Sequence, residues 1–94
     1  MSEQAVAGRL SEFRDALAQL KRDTAKVVAA MQLGGERRKR RELARSLEAC
    51  KRRGRVVGHQ VDALLTEESL SPDERAELEQ ASAFLAQLQE FTGT

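Results

Sequence analysis

The chain has 94 residues, of which 33% are charged, and its sixteen basic and fifteen acidic side chains leave a net charge of only +1. That length allows one domain with a modest core, and the near-neutral total excludes a polyanion binder that works by bulk charge alone. Three phenylalanines, no tryptophan or tyrosine and a single proline argue against a β-rich fold, whereas 40% hydrophobic content suits long helices that each bury one stripe.

The first predicted helix starts near Ser2 or Glu3 and spans about 3–32. Val6, Leu10, Phe13, Leu17, Leu20, Thr24, Val27 and Met31 follow one another at alternating four- and three-residue steps. That is the seam of a helix lying lengthwise on other helices. Thr24, the one polar member, can fix register or simply pack its methyl. Ser11, Glu12, Arg14, Lys21 and Arg22 fall off the seam and belong in water. Leu33-Gly34-Gly35 then stops the helix, because glycine takes the left-handed backbone that closes a helix and turns the chain. So short a connection predicts an antiparallel neighbour.

The second helix spans about 36–66. Glu36 places a negative charge at the positive end of the helix dipole. Leu43, Leu47, Cys50, Gly54, Val57, Val61 and Leu64 repeat the seam. The segment Gly54-Arg55-Val56-Val57-Gly58 is its weak point, since each glycine costs roughly 1 kcal/mol against alanine inside a helix. Two readings stand: a close approach of another helix at glycine, or a kink that breaks the segment and makes four helices.

Thr66 to Leu70 forms the second linker. Ser71-Pro72-Asp73-Glu74 is a capping-box signature, with serine as cap, proline at the first helical position and a carboxylate three residues after the cap. The third helix spans about 71–91, with a narrow stripe of Leu78, Ala81, Leu85 and Leu88 widened by Phe84 and Phe91, and Thr92-Gly93-Thr94 ends it. The expected fold is all-α: one domain over residues 1–94, an antiparallel up-down-up three-helix bundle with left-handed coiled-coil-like packing. Truncation of Leu17, Leu47 or Leu85 is expected to cost most, ~2–5 kcal/mol each where fully buried.

Charge is unevenly placed along this frame. Residues 36–55 hold ten basic and three acidic groups, net +7, and residues 56–94 hold one basic and eight acidic groups, net −7. The run Arg37-Arg38-Lys39-Arg40-Arg41 and the later Arg45, Lys51, Arg52, Arg53 and Arg55 admit three readings. They form a solvated face partly neutralised by acidic residues of the third helix, a footprint for an anionic membrane surface or acidic partner, or a nucleic-acid contact. The last lacks stacking aromatics beside the basic residues and any helix-turn-helix spacing. Arg37, Arg38, Arg41, Arg45, Arg52 and Arg55 are the candidate partner-binding residues.

Catalytic chemistry finds little to use. His59 and Cys50 are the only residues of their types, and nine positions on a helix put them half a turn out of phase, so a Cys–His pair or shared metal is not expected. No phosphate loop, dinucleotide fingerprint or zinc-ligand spacing occurs, so the chain reads as non-enzymatic, with no cofactor, no metal and no small-molecule substrate. A single cysteine forbids an intrachain disulfide and fits a reducing compartment. No apolar run approaches the ~20 residues of a bilayer span, and the N-terminus lacks an apolar signal core. The expectation is a soluble, cytoplasmic protein.

The order of features resembles a known family. A heptad helix ends in Met31-Gln32-Leu33-Gly34-Gly35. A second carries Arg41-Glu42-Leu43 and Leu47 and closes on Val61-Asp62-Ala63-Leu64-Leu65. A third follows an acidic, serine-containing linker. This resembles the N-terminal three-helix (Habc) domain of syntaxins, especially of the endosomal or vacuolar type, over residues 6–91. The resemblance implies a regulatory domain in vesicle trafficking and membrane fusion, on the cytosolic face of endosomal, Golgi or vacuolar membranes. Its implied partners are SNARE-motif helices and Sec1/Munc18-type or tethering factors, and the rest of such a SNARE would lie beyond Thr94. The arginine-rich second helix departs from the family pattern. Tubulin-binding cofactor A and the small helical chaperones of bacterial secretion systems are also similar in outline, and they imply a free-standing chaperone or adaptor.

Overall fold

The computed structural model describes residues 3–92. They form three helices, α1 (Glu3–Gln32), α2 (Arg37–Leu65) and α3 (Pro72–Glu90), in an all-α bundle. A start at Ser2 and the closing Gly93-Thr94 lie outside the described residues. Gly34 and Gly35 make the first turn with φ of 74° and 133°, a region that side-chain-bearing residues rarely enter. The Gly34 N–H closes α1 by donating to the Met31 carbonyl at 3.2 Å.

The second turn is secured more heavily. The Ser71 hydroxyl accepts from the Glu74 N–H at 3.1 Å while the Glu74 carboxylate accepts from the Ser71 N–H at 2.8 Å, so the capping box is complete. Leu70, just ahead of the cap, is buried although it belongs to no helix. Arg75 reaches back from the start of α3 and donates to the Leu65 and Glu67 carbonyls, both at 3.2 Å. These acceptors belong to the C-terminal end of α2 and the linker after it, where carbonyls lack intrahelical partners. One side chain therefore ties the end of α2 to the start of α3.

Burial follows the seams. Phe13, Leu20 and Leu78 are fully buried, with Val61 and Leu64 at 1% exposure. Leu47, Cys50, Val57, Leu85 and Leu88 extend this core along α2 and α3. Leu17 is only half-buried, which corrects the expectation that its truncation ranks with the costliest. It sits at the edge of the α1 stripe, and the fully buried Phe13 and Leu20 on either side take the central positions. Thr24 is buried, and its Oγ1 has no hydrogen-bond partner, so the residue contributes its methyl to packing.

α2 passes through Gly54 and Gly58 as one helix, without the break that would have made a fourth. The two glycines differ. A Cβ at Gly54 would lie 3.1 Å from Leu88 Cδ2 and 3.2 Å from Gln89 Nε2, whereas one at Gly58 would meet nothing within 4 Å. Close approach of α3 explains the first glycine and not the second.

The bundle is a rod of 52 × 18 × 16 Å. Its radius of gyration of 15.5 Å exceeds the ~12 Å of a compact domain of this length. Its accessible surface of 6500 Å² likewise exceeds the ~5,400 Å² typical of a monomer of this mass. The excess has a plain origin. The last turn of α3 lies beside Lys51 to Arg55, where Gln89 Nε2 donates to the Lys51 carbonyl at 2.8 Å. α2 therefore runs on for roughly 15–20 Å past the end of α3, and every residue from Gln32 to Glu42 is exposed.

Candidate interaction surface

The six arginines singled out from the sequence are all exposed. At 100° per residue Arg37, Arg38, Arg41, Arg45, Arg52 and Arg55 share a sector of about 100° on α2, centred opposite its buried seam. The structure divides them into three groups. Arg37, Arg38 and Arg41 belong to the overhanging tip. Arg45 and Arg52 continue the stripe along the body. Arg55 is turned toward α3, where it donates to Gln89 Oε1 at 3.1 Å.

Among the described residues, no carboxylate of α3 forms an ion pair with this stripe. Three carboxylates of α3 and its linker are engaged elsewhere: Glu77 takes a two-pronged hydrogen bond from Arg14 of α1, both contacts at 2.8 Å, and Glu67 pairs with Arg9 at 3.2 Å. Glu74 is engaged by its own cap. Those partners leave a mark on titration. The Arg14 hydrogen bond holds the Glu77 carboxyl below the usual glutamate range, and Glu77 in turn raises the Arg14 guanidinium. The Ser71 backbone and hydroxyl hold Glu74 down in the same way. Among the described residues the one α2 arginine in a short ion pair is Arg53, 2.7 Å from Asp23 of α1, and this bond, with a second from Gln19, lowers the Asp23 carboxyl. On the stripe itself, the Arg38–Glu42 pair is 3.8 Å long between largely exposed groups, a contact worth little. Arg37, Arg41, Arg45 and Arg52 have no carboxylate partner among the described residues.

Beside the stripe lies a feature that the seam pattern did not reveal. Two hollows of about 330 and 310 Å³ line the outer groove between α1 and α2, and both are bounded by Val56 and Gln60. Arg9 and Glu12 close one end from α1, and Ala16, Gln19 and Leu20 continue the wall toward the other. α3 contributes nothing here. Val56 stands 60% exposed on the rim, and the buried Gln60 Oε1 has no hydrogen-bond partner. The sequence held one signal: of the adjacent pair Val56-Val57 only one can face the core, so the other must leave an apolar surface outside.

A second, smaller cleft of about 160 Å³ sits between α1 and α3 among Thr24, Val28, Phe84 and Phe91. Lys21 leans over the Phe84 ring at 5.3 Å and partly covers that face. Cys50 is buried and His59 exposed, so the helix does not bring the two together. No helix among the described residues is long and apolar enough to cross a membrane. Compared with known proteins, the chain matches no family model, no curated protein and no solved structure.

Proposed function

We propose that this chain is a non-enzymatic interaction module whose α1–α2 groove takes an acidic amphipathic helix from a protein partner. The observation that supports it is the groove itself, with an exposed valine on its rim, Arg53 in its wall and Arg52 one helical turn from that valine. An incoming helix would set apolar residues at successive turns against Val56, Ala16 and Ala63, and its acidic flank on the arginines. Opposite charge along the lip sets orientation and rejects basic helices.

The syntaxin-like resemblance supplies the finer reading. There the module is a regulatory domain of a trafficking SNARE on the cytosolic face of a membrane, and the occupant is a SNARE-motif helix or a helix of a Sec1/Munc18-type or tethering factor. The order of helices and the position of the glycine turn support it.

Chemical-shift mapping tests the module. A synthetic acidic amphipathic helix is expected to perturb Ala16, Val56, Gln60 and Ala63, with Val56→Glu weakening binding by about tenfold while the melting temperature holds. Perturbations confined to the α1–α3 cleft, or none, would end this reading. Saturable binding of a SNARE-motif peptide at the groove sustains the finer version. Binding of client helices without it moves the assignment to a chaperone or adaptor.

A further inference from the structure

The tip of α2 presents a conflict that the groove does not explain. Arg37 to Arg41 are five consecutive cations in the first turns of a helix, where the backbone dipole is already positive. No acidic residue occupies the first turn, and the Glu36 side chain makes no capping hydrogen bond. The cations point to every side of the helix, and none is buried. Neither packing nor capping offsets their mutual repulsion.

Leu33 stands next to them. It is 87% exposed, the most exposed large hydrophobic residue among those described, on a turn whose shape is fixed by Gly34 and Gly35 at positive φ. An exposed apolar side chain four residues from a run of exposed cations at the end of a rod matches one kind of surface. Lipid headgroups offer phosphates and carboxylates to the guanidinium groups and, just beneath, an apolar layer to the leucine. A nucleic acid would satisfy the arginines and leave Leu33 in water. The aromatics that could stack on bases are elsewhere: Phe13 is fully buried, and Phe84 and Phe91 line the α1–α3 cleft.

Charge placement along the rod sets the orientation. Residues 36–55 are net +7 and residues 56–94 net −7, so the whole molecule is nearly neutral. Screening limits each charge's reach to about 8 Å in physiological salt, whereas the rod is 52 Å long. A surface met end-on therefore feels the cations of the tip and not the acids of the body.

We propose that Leu33 and the Arg37–Arg41 segment form a docking tip that holds the module end-on against an anionic lipid surface. Each cation in that layer raises partitioning by about fivefold, enough for reversible attachment by a tip that cannot insert deeply.

Co-sedimentation of the full chain with vesicles tests this. Phosphatidylcholine vesicles containing phosphatidylserine are expected to carry the protein down, pure phosphatidylcholine vesicles not, and added salt should release it. Arg38→Glu with Arg41→Glu should lower binding by more than about tenfold, and Leu33→Ser by about fivefold with the salt dependence unchanged. Helix content by circular dichroism confirms that both variants fold. Val56→Glu lies nineteen residues, or about 28 Å, along the helix from Arg37. It should leave vesicle binding intact while weakening binding at the groove, which separates this proposal from the preceding one. Equal binding to both vesicle types, or full binding by Leu33→Ser, would refute the docking tip. Tighter association with duplex DNA than with anionic vesicles at equal salt would refute it too, in favour of nucleic acid.

Discussion

The two ends of α2 belong to one continuous helix and are held by different forces. From Leu47 to Leu64 six residues are buried at seam spacing, so this half is stabilised by apolar surface removed from water. From Arg37 to Glu42 all residues are exposed, and only intrinsic propensity and one long Arg38–Glu42 contact support the helix. A helix polar on every side is marginal alone. Here the buried half acts as the nucleus from which the tip is extended. Burial thus accounts for the fold, and surplus charge marks where the fold does not need those residues.

Core truncation draws the contrast most sharply. Phe13, fully buried between the helices, should lose about 3–5 kcal/mol as Phe13→Ala, a large part of the stability of any small domain. Arg40→Ala at the tip should change it by less than about 0.5 kcal/mol. Chemical denaturation of the two variants in parallel measures both. Comparable losses would mean that the tip is integral to the core. Leu17→Ala, half-buried, belongs between them.

Most of the frame was legible because heptad spacing and turn chemistry are local. The alternation of four and three residues placed the core stripes, and Ser71-Pro72-Asp73-Glu74 placed the third helix start. What escaped depends on how helices lie on one another. Leu17 and Leu20 are equivalent in a seam, and only the packing decides which sits at the centre. Glu77 was a plausible partner for α2, yet α3 aims it at Arg14 of α1. Arg75 as the tie for the end of α2, and Leu70 as a core residue within a linker, are long-range outcomes with no local signature. The candidate site was half visible. The arginines announced themselves by composition, while the groove beside them is made of small and flanking residues whose exposure depends on where α3 is not.

A smaller effect separates the two glycines within the body of α2. Gly58→Ala adds a methyl where nothing lies within 4 Å, so it should stabilise by up to about 1 kcal/mol through helix propensity. The same change at Gly54 presses on Leu88 and Gln89 and disturbs the Gln89 bond to Lys51, which offsets the gain. Thermal melts should place Gly58→Ala above Gly54→Ala. The reverse order would mean that α3 yields freely at its last turn.

The smallest effect bears on the tip directly. Arg37→Glu replaces a cation with an anion at the first position of α2, where the dipole and four neighbouring cations all favour negative charge. It should stabilise by about 0.3–1 kcal/mol at low ionic strength, and the gain should shrink as salt is added. Measured by denaturation across a salt series, that sign is diagnostic, because an ordinary structural arginine would lose stability when reversed. If Arg37→Glu also weakens attachment to anionic vesicles, one substitution improves the helix and harms the surface. The cationic tip would then be a feature kept against the helix's own preference, for the sake of what it touches. Destabilisation instead would show that the cations support the fold, and the contrast between the two ends of α2 would dissolve.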